Sequence, residues 1–209
     1  MASLKIHGIA RSRAARNVWC AEECGAAYDL VKTTWWDGGT KTPEFLAINP
    51  MGTVPAMQDG ALALTESLAI DLYIAKKYGA TKGIYPADLA GEAKAWQWTL
   101  FAATEIEPKH GVFASNTFMK PEAERDAKAA AEAWTGLGKP FGVLDALLAK
   151  QQFLLGGSFT VADVNVASIL LGSIANKVDF SAWPNFKAWL DRCLARPAAL
   201  KVLALRASD

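Results

Sequence analysis

The 209-residue sequence predicts an α/β unit over residues 1–80, a linker at 81–89 and an all-helical domain over 90–209. Three observations lead there. In the first part, short β-forming runs alternate with helical patterns, the order that builds a sheet covered by helices. Asp59-Gly60 stands between alternating apolar residues, the strongest short hairpin signal a sequence offers. Beyond Leu89 every strong periodicity is helical.

Taken in order, residues 3–8 read as a strand centred on Leu4-Lys5-Ile6, followed by a polar loop, Ala10-Arg11-Ser12-Arg13. A helix from Ala14 to Cys24 is closed by Gly25 as its C-terminal cap. Tyr28 to Trp35 is rich in β-formers, and strand-helix-strand implies a parallel pair with a right-handed crossover. A helical turn around Glu44 to Ala47 leads into Asn49-Pro50-Met51-Gly52-Thr53-Val54-Pro55. From there a strand, a turn at Asp59-Gly60, a second strand and a helix from Glu66 to Lys77 complete a thioredoxin-like β-α-β-α-β-β-α order. Gly79 to Pro86 has the composition of a linker.

In the helical part, the pattern from Gly91 to Phe113 places Trp96, Leu100 and Phe101 on one side and Ala95, Trp98 and Ala102 elsewhere, so burial on several faces is expected, and Pro108 should kink or interrupt it. Pro121 suits the first turn of a charged helix reaching towards Lys150, with Gly136 to Pro140 bending or splitting it. Thr160 and Asp163 form a variant capping box, with Phe159 and Val164 as its hydrophobic staple. Helices from Pro184 to Arg196 and from Pro197 to Leu205 close the chain.

Composition bounds the function. The 52% apolar content is ample for a core, and eight Trp promise large buried aromatic contacts. Lys+Arg of 22 against Asp+Glu of 21 argues against nucleic acid or an anionic membrane as the main partner. No signal peptide pattern opens the chain, and the mostly apolar stretch from Val161 to Ala175 is too short to span a bilayer. Three Cys without a Cys-x-x-Cys fit a reducing compartment, so a cytoplasmic location is expected. Cys20 and Cys24, four apart on one helix, read as core thiols. His7 and His110 have no neighbours at ligand spacing, so no metal is expected.

The stretch from Asn49 to Asp71 is where chemistry concentrates. Pro55 puts a residue without an N–H at the mouth of a strand, and Val54 before it is driven to an extended conformation. That leaves the Val54 backbone suited to a peptide-like ligand. Glu66-Ser67 open a helix whose unpaired N–H groups and positive dipole end attract an anion. The ordered set Asn49-Pro50-x-Gly52-x-Val54-Pro55, then Glu66-Ser67 after a hairpin, resembles the glutathione-binding half of cytosolic glutathione S-transferases, of bacterial type in its Asn-Pro-x-Gly-x-Val-Pro form. The resemblance extends over nearly the whole chain, the Thr160–Asp163 capping box included. It implies a thioredoxin-like N-terminal domain, an all-helical C-terminal domain and a homodimer. The implied reaction joins glutathione, as co-substrate, to a small apolar electrophile. It leaves open isomerase, disulfide reductase or peroxidase chemistry on the same fold, and a non-catalytic binding or interaction protein.

The same resemblance implies roles for single residues. A free thiol ionises near about pH 8.5, so the glutathione sulfur needs a donor beside it. No Tyr lies in the first 27 residues, which disfavours a tyrosine-type enzyme. Ser12 precedes Arg16 by four residues, a spacing similar to that of serine-type transferases, and is the expected donor to the thiolate; an N-cap role for Ser12 stays open. Arg13 is the candidate for positive charge near the sulfur or a substrate anion, and Arg16 for a structural ion pair. The γ-glutamyl carboxylate is expected on Ser67, the amino group on Glu66, the cysteinyl amide against Val54 beside Pro55, and the glycine carboxylate on Lys41. Gly52 stands where some members carry a His. Phe101, Thr104, Glu105 and Phe113 are electrophile-site candidates, although such residues at helical spacing also build cores.

Overall fold

The computed structural model describes residues 3–209. Met1 and Ala2, with which the expected first domain and the leader reading begin, lie outside the described residues. The chain forms two compact units: the described residues up to Ala87 together with Arg196–Asp209, and Asp88–Ala195. The all-helical region expected over 90–209 therefore gives up its last helix to the first unit in this division.

The first unit holds β1 (Leu4–His7), α1 (Ala14–Cys24), β2 (Tyr28–Val31), α2 (Pro43–Ile48), β3 (Ala56–Asp59), β4 (Leu62–Thr65) and α3 (Ser67–Tyr78). The sheet order is β2-β1-β3-β4, with β1 parallel to β2 and antiparallel to β3. The second strand ends at Val31, short of the predicted Trp35, because its only ladder partner ends at His7, opposite Val31. Trp35 and Trp36 beyond it are exposed. The hairpin forms where the sequence predicts it, one residue later than the expected turn. Asp59 stays in the ladder opposite Leu62, and Gly60, with φ of 61°, takes the left-handed position that favours glycine. The buried Asp59 carboxylate accepts hydrogen bonds from Tyr73, Lys77 and Tyr78, tying the C-terminal half of α3 to the sheet. α10 (Pro197–Ser208) packs against α1. Arg196 forks onto the Glu23 carboxylate at 2.8 and 2.7 Å, and Lys201 pairs with Glu22.

The second unit is all helix: α4 (Leu89–Phe101), α5 (Glu107–Ala114), α6 (Ala127–Leu148), α7 (Val161–Ile169), α8 (Leu171–Ala175) and α9 (Pro184–Leu194). The helical pattern is interrupted ahead of Pro108 rather than kinked at it. A wide π turn, Ala102–Ile106, precedes it, and Pro108 occupies the first turn of α5, where its missing N–H costs nothing. α4 buries Ala95, Trp98 and Thr99, while Trp96 and Leu100 of the expected apolar side are exposed. Pro121 lies ahead of a 3₁₀ turn rather than in the first turn of α6, which Asp126 caps by accepting from the Ala129 N–H. α6 runs unbroken through Pro140, which leaves the Gly136 carbonyl without its helical N–H partner. Its inner face joins an aromatic core in which Trp134 and Phe141 meet Phe180, Trp183 and Phe186.

The predicted capping box on α7 is present. The fully buried Asp163 does more than cap. One oxygen accepts from the Thr160 N–H at 2.9 Å; the other accepts from the Leu154 N–H at 2.9 Å and the Trp189 indole at 2.8 Å. Burial pushes its carboxyl up, and these bonds pull it back. Removing the carboxylate strands three buried donors, each costing roughly 1–3 kcal/mol. Asp163→Ala is therefore expected to lower the unfolding free energy by about 3 kcal/mol or more, read from urea denaturation at neutral pH. A loss below about 1 kcal/mol would mean the carboxylate serves as a cap alone.

Candidate functional site

The site is built where the ends of β1, β3 and α3 come together in the first unit. β1 ends at Gly8, whose φ of 142° no side chain adopts easily. A Cβ placed there would stand 2.6 Å from the Ala14 Cβ, 3.1 Å from the Ser12 Oγ and 3.5 Å from the Val54 Cβ. Gly8 is thus the gap across which the Ser12 loop and the Val54 loop approach each other. No larger residue fits.

Ser12 is half-buried. Its Oγ donates to the Ile9 carbonyl at 2.7 Å and accepts from the Ala14 N–H at 3.1 Å. The Ile9 carbonyl also takes the Ser12 N–H at 3.0 Å, so it keeps a partner if the hydroxyl rotates away. The Oγ consequently sits at the start of α1, where helix N–H groups favour negative charge.

The Val54–Pro55 peptide bond is cis, and the β3 ladder begins at Ala56, leaving Val54 beyond the paired stretch. Asn49 shapes the preceding turn: its side chain donates to the Thr53 carbonyl at 2.7 Å and accepts from the Met51 N–H at 3.1 Å. Lys41 donates to the Gly52 carbonyl at 3.2 Å, which places its ammonium beside the same turn. Gly52 has φ of 61°, and a Cβ there would lie 2.6 Å from the Lys41 Nζ and 2.9 Å from the Thr40 carbonyl oxygen. A side chain at this position would displace Lys41.

α3 starts one residue later than expected, at Ser67, with the exposed Glu66 as the residue before it at φ 65°, ψ 104°. That left-handed φ is costly for a non-glycine residue and marks a position the surroundings hold in place. The surroundings are a buried polar network that sequence reasoning missed. Arg16, expected in a structural ion pair on α1, reaches α3 and donates to the Ser67 Oγ at 3.1 Å. Asn17, with no exposure, donates to the Ser67 carbonyl and to the Asp71 Oδ1, both at 2.7 Å. Asp71 lies one turn along α3 from Ser67, and its Oδ2 is buried without a hydrogen-bond partner. Burial pushes its carboxyl up to about 7, against the pull of Asn17 and the Arg16 charge. A polar side chain on an otherwise apolar helix, as at Asn17 and Asp71, was the available signal.

The structure thus brings Ser12, Val54, Pro55, Lys41 and Ser67 into one region of the first unit, and the Ser12 and Ser67 segments are linked through Arg16 and Asn17 on α1. Arg13 is exposed on the same loop as Ser12. The electrophile-site candidates lie in the second unit. Phe101 is half-buried against Trp98, Thr104 donates to the Leu100 carbonyl, and Glu105 pairs with Lys109 at 3.3 Å. The ring of Phe113 lies 4.7 Å from that of Trp134 and 6.3 Å from that of Phe118, inside the aromatic core. A cavity of about 330 Å³ in the first unit, lined by His7, Thr33, Thr42 and Phe45 among others, includes none of the expected site residues. Among the described residues there is no group of three His, Cys, Asp or Glu that could hold a metal, and no helix is long and apolar enough to cross a membrane. Cys20, Cys24 and Cys193 are all buried and outside any disulfide.

The family model described as glutathione S-transferase, N-terminal domain, matches residues 2–76, and the C-terminal domain model of the same family matches residues 107–197. The chain is 33% identical to the probable glutathione S-transferase GSTF2 of Oryza sativa subsp. japonica over 98% of both chains. It is 34% identical to glutathione S-transferase 3 of Zea mays, over 98% of this chain and 95% of that one. Among solved structures, a theta class glutathione S-transferase from Xanthomonas axonopodis pv. citri with glutathione bound superposes with a TM-score of 0.89 at 34% identity, covering 97% of this chain and 98% of the other. Glutathione S-transferase I from mais, in complex with an atrazine glutathione conjugate, gives 0.88 at 31% identity over 98% of each chain.

The raised Asp71 carboxyl makes stability depend on pH. A folded-state value above the ordinary one contributes stability that is full below the ordinary carboxylate range of about 4 and is lost as pH rises through the folded-state value. Unfolding free energy should therefore fall between about pH 5 and pH 8 by on the order of 1–3 kcal/mol more in the unmodified protein than in Asp71→Asn. Equal slopes in denaturant titrations across that range would show that Asp71 is not protonated by burial.

Proposed function

The chain belongs to the glutathione S-transferase family and is a glutathione transferase; on that premise we propose that Ser12 holds the glutathione thiolate for attack on a small apolar electrophile. The observation that carries this reading is the close approach of the Ser12 Oγ and Val54 across Gly8. A peptide whose backbone pairs with Val54 would present its cysteine sulfur to the Ser12 hydroxyl. The hydroxyl is free to turn from the Ile9 carbonyl, which keeps the Ser12 N–H, while the Ala14 N–H continues to polarise the Oγ. A hydrogen bond donated to the thiolate favours the charged form, so the thiol gives its proton to water more readily. The thiolate sulfur then forms a bond to the electrophilic carbon, whose leaving group departs with its electron pair.

The remaining roles follow from charge. The γ-glutamyl carboxylate lies at the N-terminus of α3 on the Ser67 N–H and hydroxyl, whose Oγ already accepts from Arg16. The exposed Glu66 receives the ligand's amino group. Lys41, beside the Gly52 carbonyl, takes the glycine carboxylate, and the absence of a side chain at Gly52 is what leaves it room. Arg13 adds positive charge to the Ser12 loop. Phe101, Thr104 and Glu105 are assigned to the electrophile, whereas the aromatic contacts of Phe113 favour a core role. The atrazine glutathione conjugate held by the mais enzyme is one example of a conjugate bound by a relative. A cytoplasmic homodimer is the assembly this reading includes.

Two substitutions test it. Ser12→Ala should raise the pH at which bound glutathione ionises by about 1–2 units and lower kcat/KM for an aryl halide by about 10–100-fold, with thiolate absorbance in the ultraviolet as the readout. Unchanged ionisation would leave Ser12 as a helix cap. Lys41→Ala should raise KM for glutathione about tenfold with little change in kcat, because the carboxylate contact is the same in ground and transition states.

A further inference from the structure

α10 is folded back onto the first unit, and its end meets the loop that carries Ser12. Ala10 is buried and lies two residues before Ser12, past the end of β1, where no ladder partner serves its backbone. Both of its backbone polar groups are taken by α10 and the residue after it. Its carbonyl accepts from the Arg206 Nη1 at 2.6 Å, and its N–H donates to the Asp209 carboxylate. A buried backbone group left without a partner is costly, so these contacts fix the loop rather than merely touch it.

The electrostatics agree. Arg206 is half-buried, and burial together with the charges of Arg11 and Arg16 works against its own charge, while Asp209 works in its favour. The helix end therefore brings a third guanidinium into a loop that already holds two, and it brings its own counter-charge. An apolar residue at 206 could cover α1 but would leave the Ala10 carbonyl without this donor. What only Arg206 and Asp209 supply is a donor and an acceptor aimed at one residue of the loop.

We propose that Arg206 and Asp209 are positioning residues for Ser12: by holding the carbonyl and N–H of Ala10 they set the place of the hydroxyl that faces the glutathione sulfur. The inference rests on the Ser12 reading above. It makes α10 a part of the site's support rather than only a cover for α1.

The test compares four single variants with the unmodified protein: Arg206→Met, which keeps the apolar stem and removes the donors, Asp209→Ala, Asp209→Asn and Ser12→Ala. Lys201→Ala, which releases α10 from Glu22 away from the loop, is the control for loosened docking. The first readout is the pH at which bound glutathione ionises, and the second is hydrogen exchange at the Ala10 amide. Arg206→Met and Asp209→Ala should each move the ionisation towards that of free glutathione by about 0.5–1 pH unit, a roughly three- to tenfold change in thiolate population. Ala10 exchange should quicken about tenfold or more in Asp209→Ala, and Asp209→Asn, which keeps an acceptor, should recover most of both effects. Lys201→Ala should lower the thermal midpoint without moving the ionisation. Neither Arg206→Met nor Asp209→Ala should add to the shift in a Ser12→Ala background. If Ser12→Ala shifts the ionisation while the α10 variants do not, the positioning role is overturned and the Ser12 reading stands. If Ser12→Ala itself causes no shift, both fall together. Should Arg206→Met fail to fold, Asp209→Ala, at an exposed residue, carries the same decision.

Discussion

Asn17 makes the contact on which the first unit's site depends. Its side-chain amide sits without exposure between α1 and α3 and gives one hydrogen to the Ser67 carbonyl and the other to Asp71. Those two bonds fix the rotation of α3 about its axis relative to α1. α1 begins just after Ser12, and α3 begins at Ser67, so the geometry of the two helix starts is set by one amide. Arg16, the preceding residue on α1, adds a charged donor to the Ser67 Oγ. Two neighbouring side chains of α1 thus engage both a backbone and a side-chain group of the same serine. An apolar contact could bring the helices equally close, but it is non-directional and would not choose their register.

The cost of that arrangement falls on Asp71. Its second oxygen has no partner, and burial holds its carboxyl near neutrality. A protein optimised only for stability would place an apolar residue there. Instead the first turn of α3 is anchored by polar groups while the ladder of β3 and β4 supports its approach from the other side. The same exchange of comfort for geometry appears at Glu66, held at a left-handed φ, and at Gly8, whose missing side chain lets the loops of Ser12 and Val54 meet. Strained or undersatisfied positions in this unit cluster around one spot.

Much of this was legible in the sequence wherever the determining physics is local. Gly25 ends α1, Asp59 and Gly60 make the hairpin, and Thr160 with Asp163 starts α7, because each depends on backbone preferences within a few residues. The strand order and the resemblance carried by Val54, Pro55, Glu66 and Ser67 followed from such signals in series. What escaped was set by partners far along the chain. Arg16 and Asn17 meet residues some fifty positions away, and Arg206 meets Ala10 across almost the whole sequence. Nothing in their neighbours' identities announces those pairings. On and just after α4 the burial of Ala95, Trp98 and Ala102 matches the reading of several buried faces, whereas Trp96 and Leu100 are apolar yet exposed. At Pro108 the sequence marks where a helix must lose a hydrogen bond, and the expected interruption takes the form of a wide turn just before it.

A net charge of +1 spread over the whole chain conceals a strongly uneven local field. Arg11 and Arg16 act against the charge of Arg206 at the Ser12 loop, and Asp209 acts in its favour. Concentrating like charges beside a loop is unfavourable in the empty protein and becomes favourable when an anion arrives there. Glutathione brings two carboxylates and, once ionised, a thiolate. The starts of α1 and α3 add two positive dipole ends to the same region. The basic loop thus suits an anionic ligand, whose arrival offsets the repulsion that Arg206 feels there.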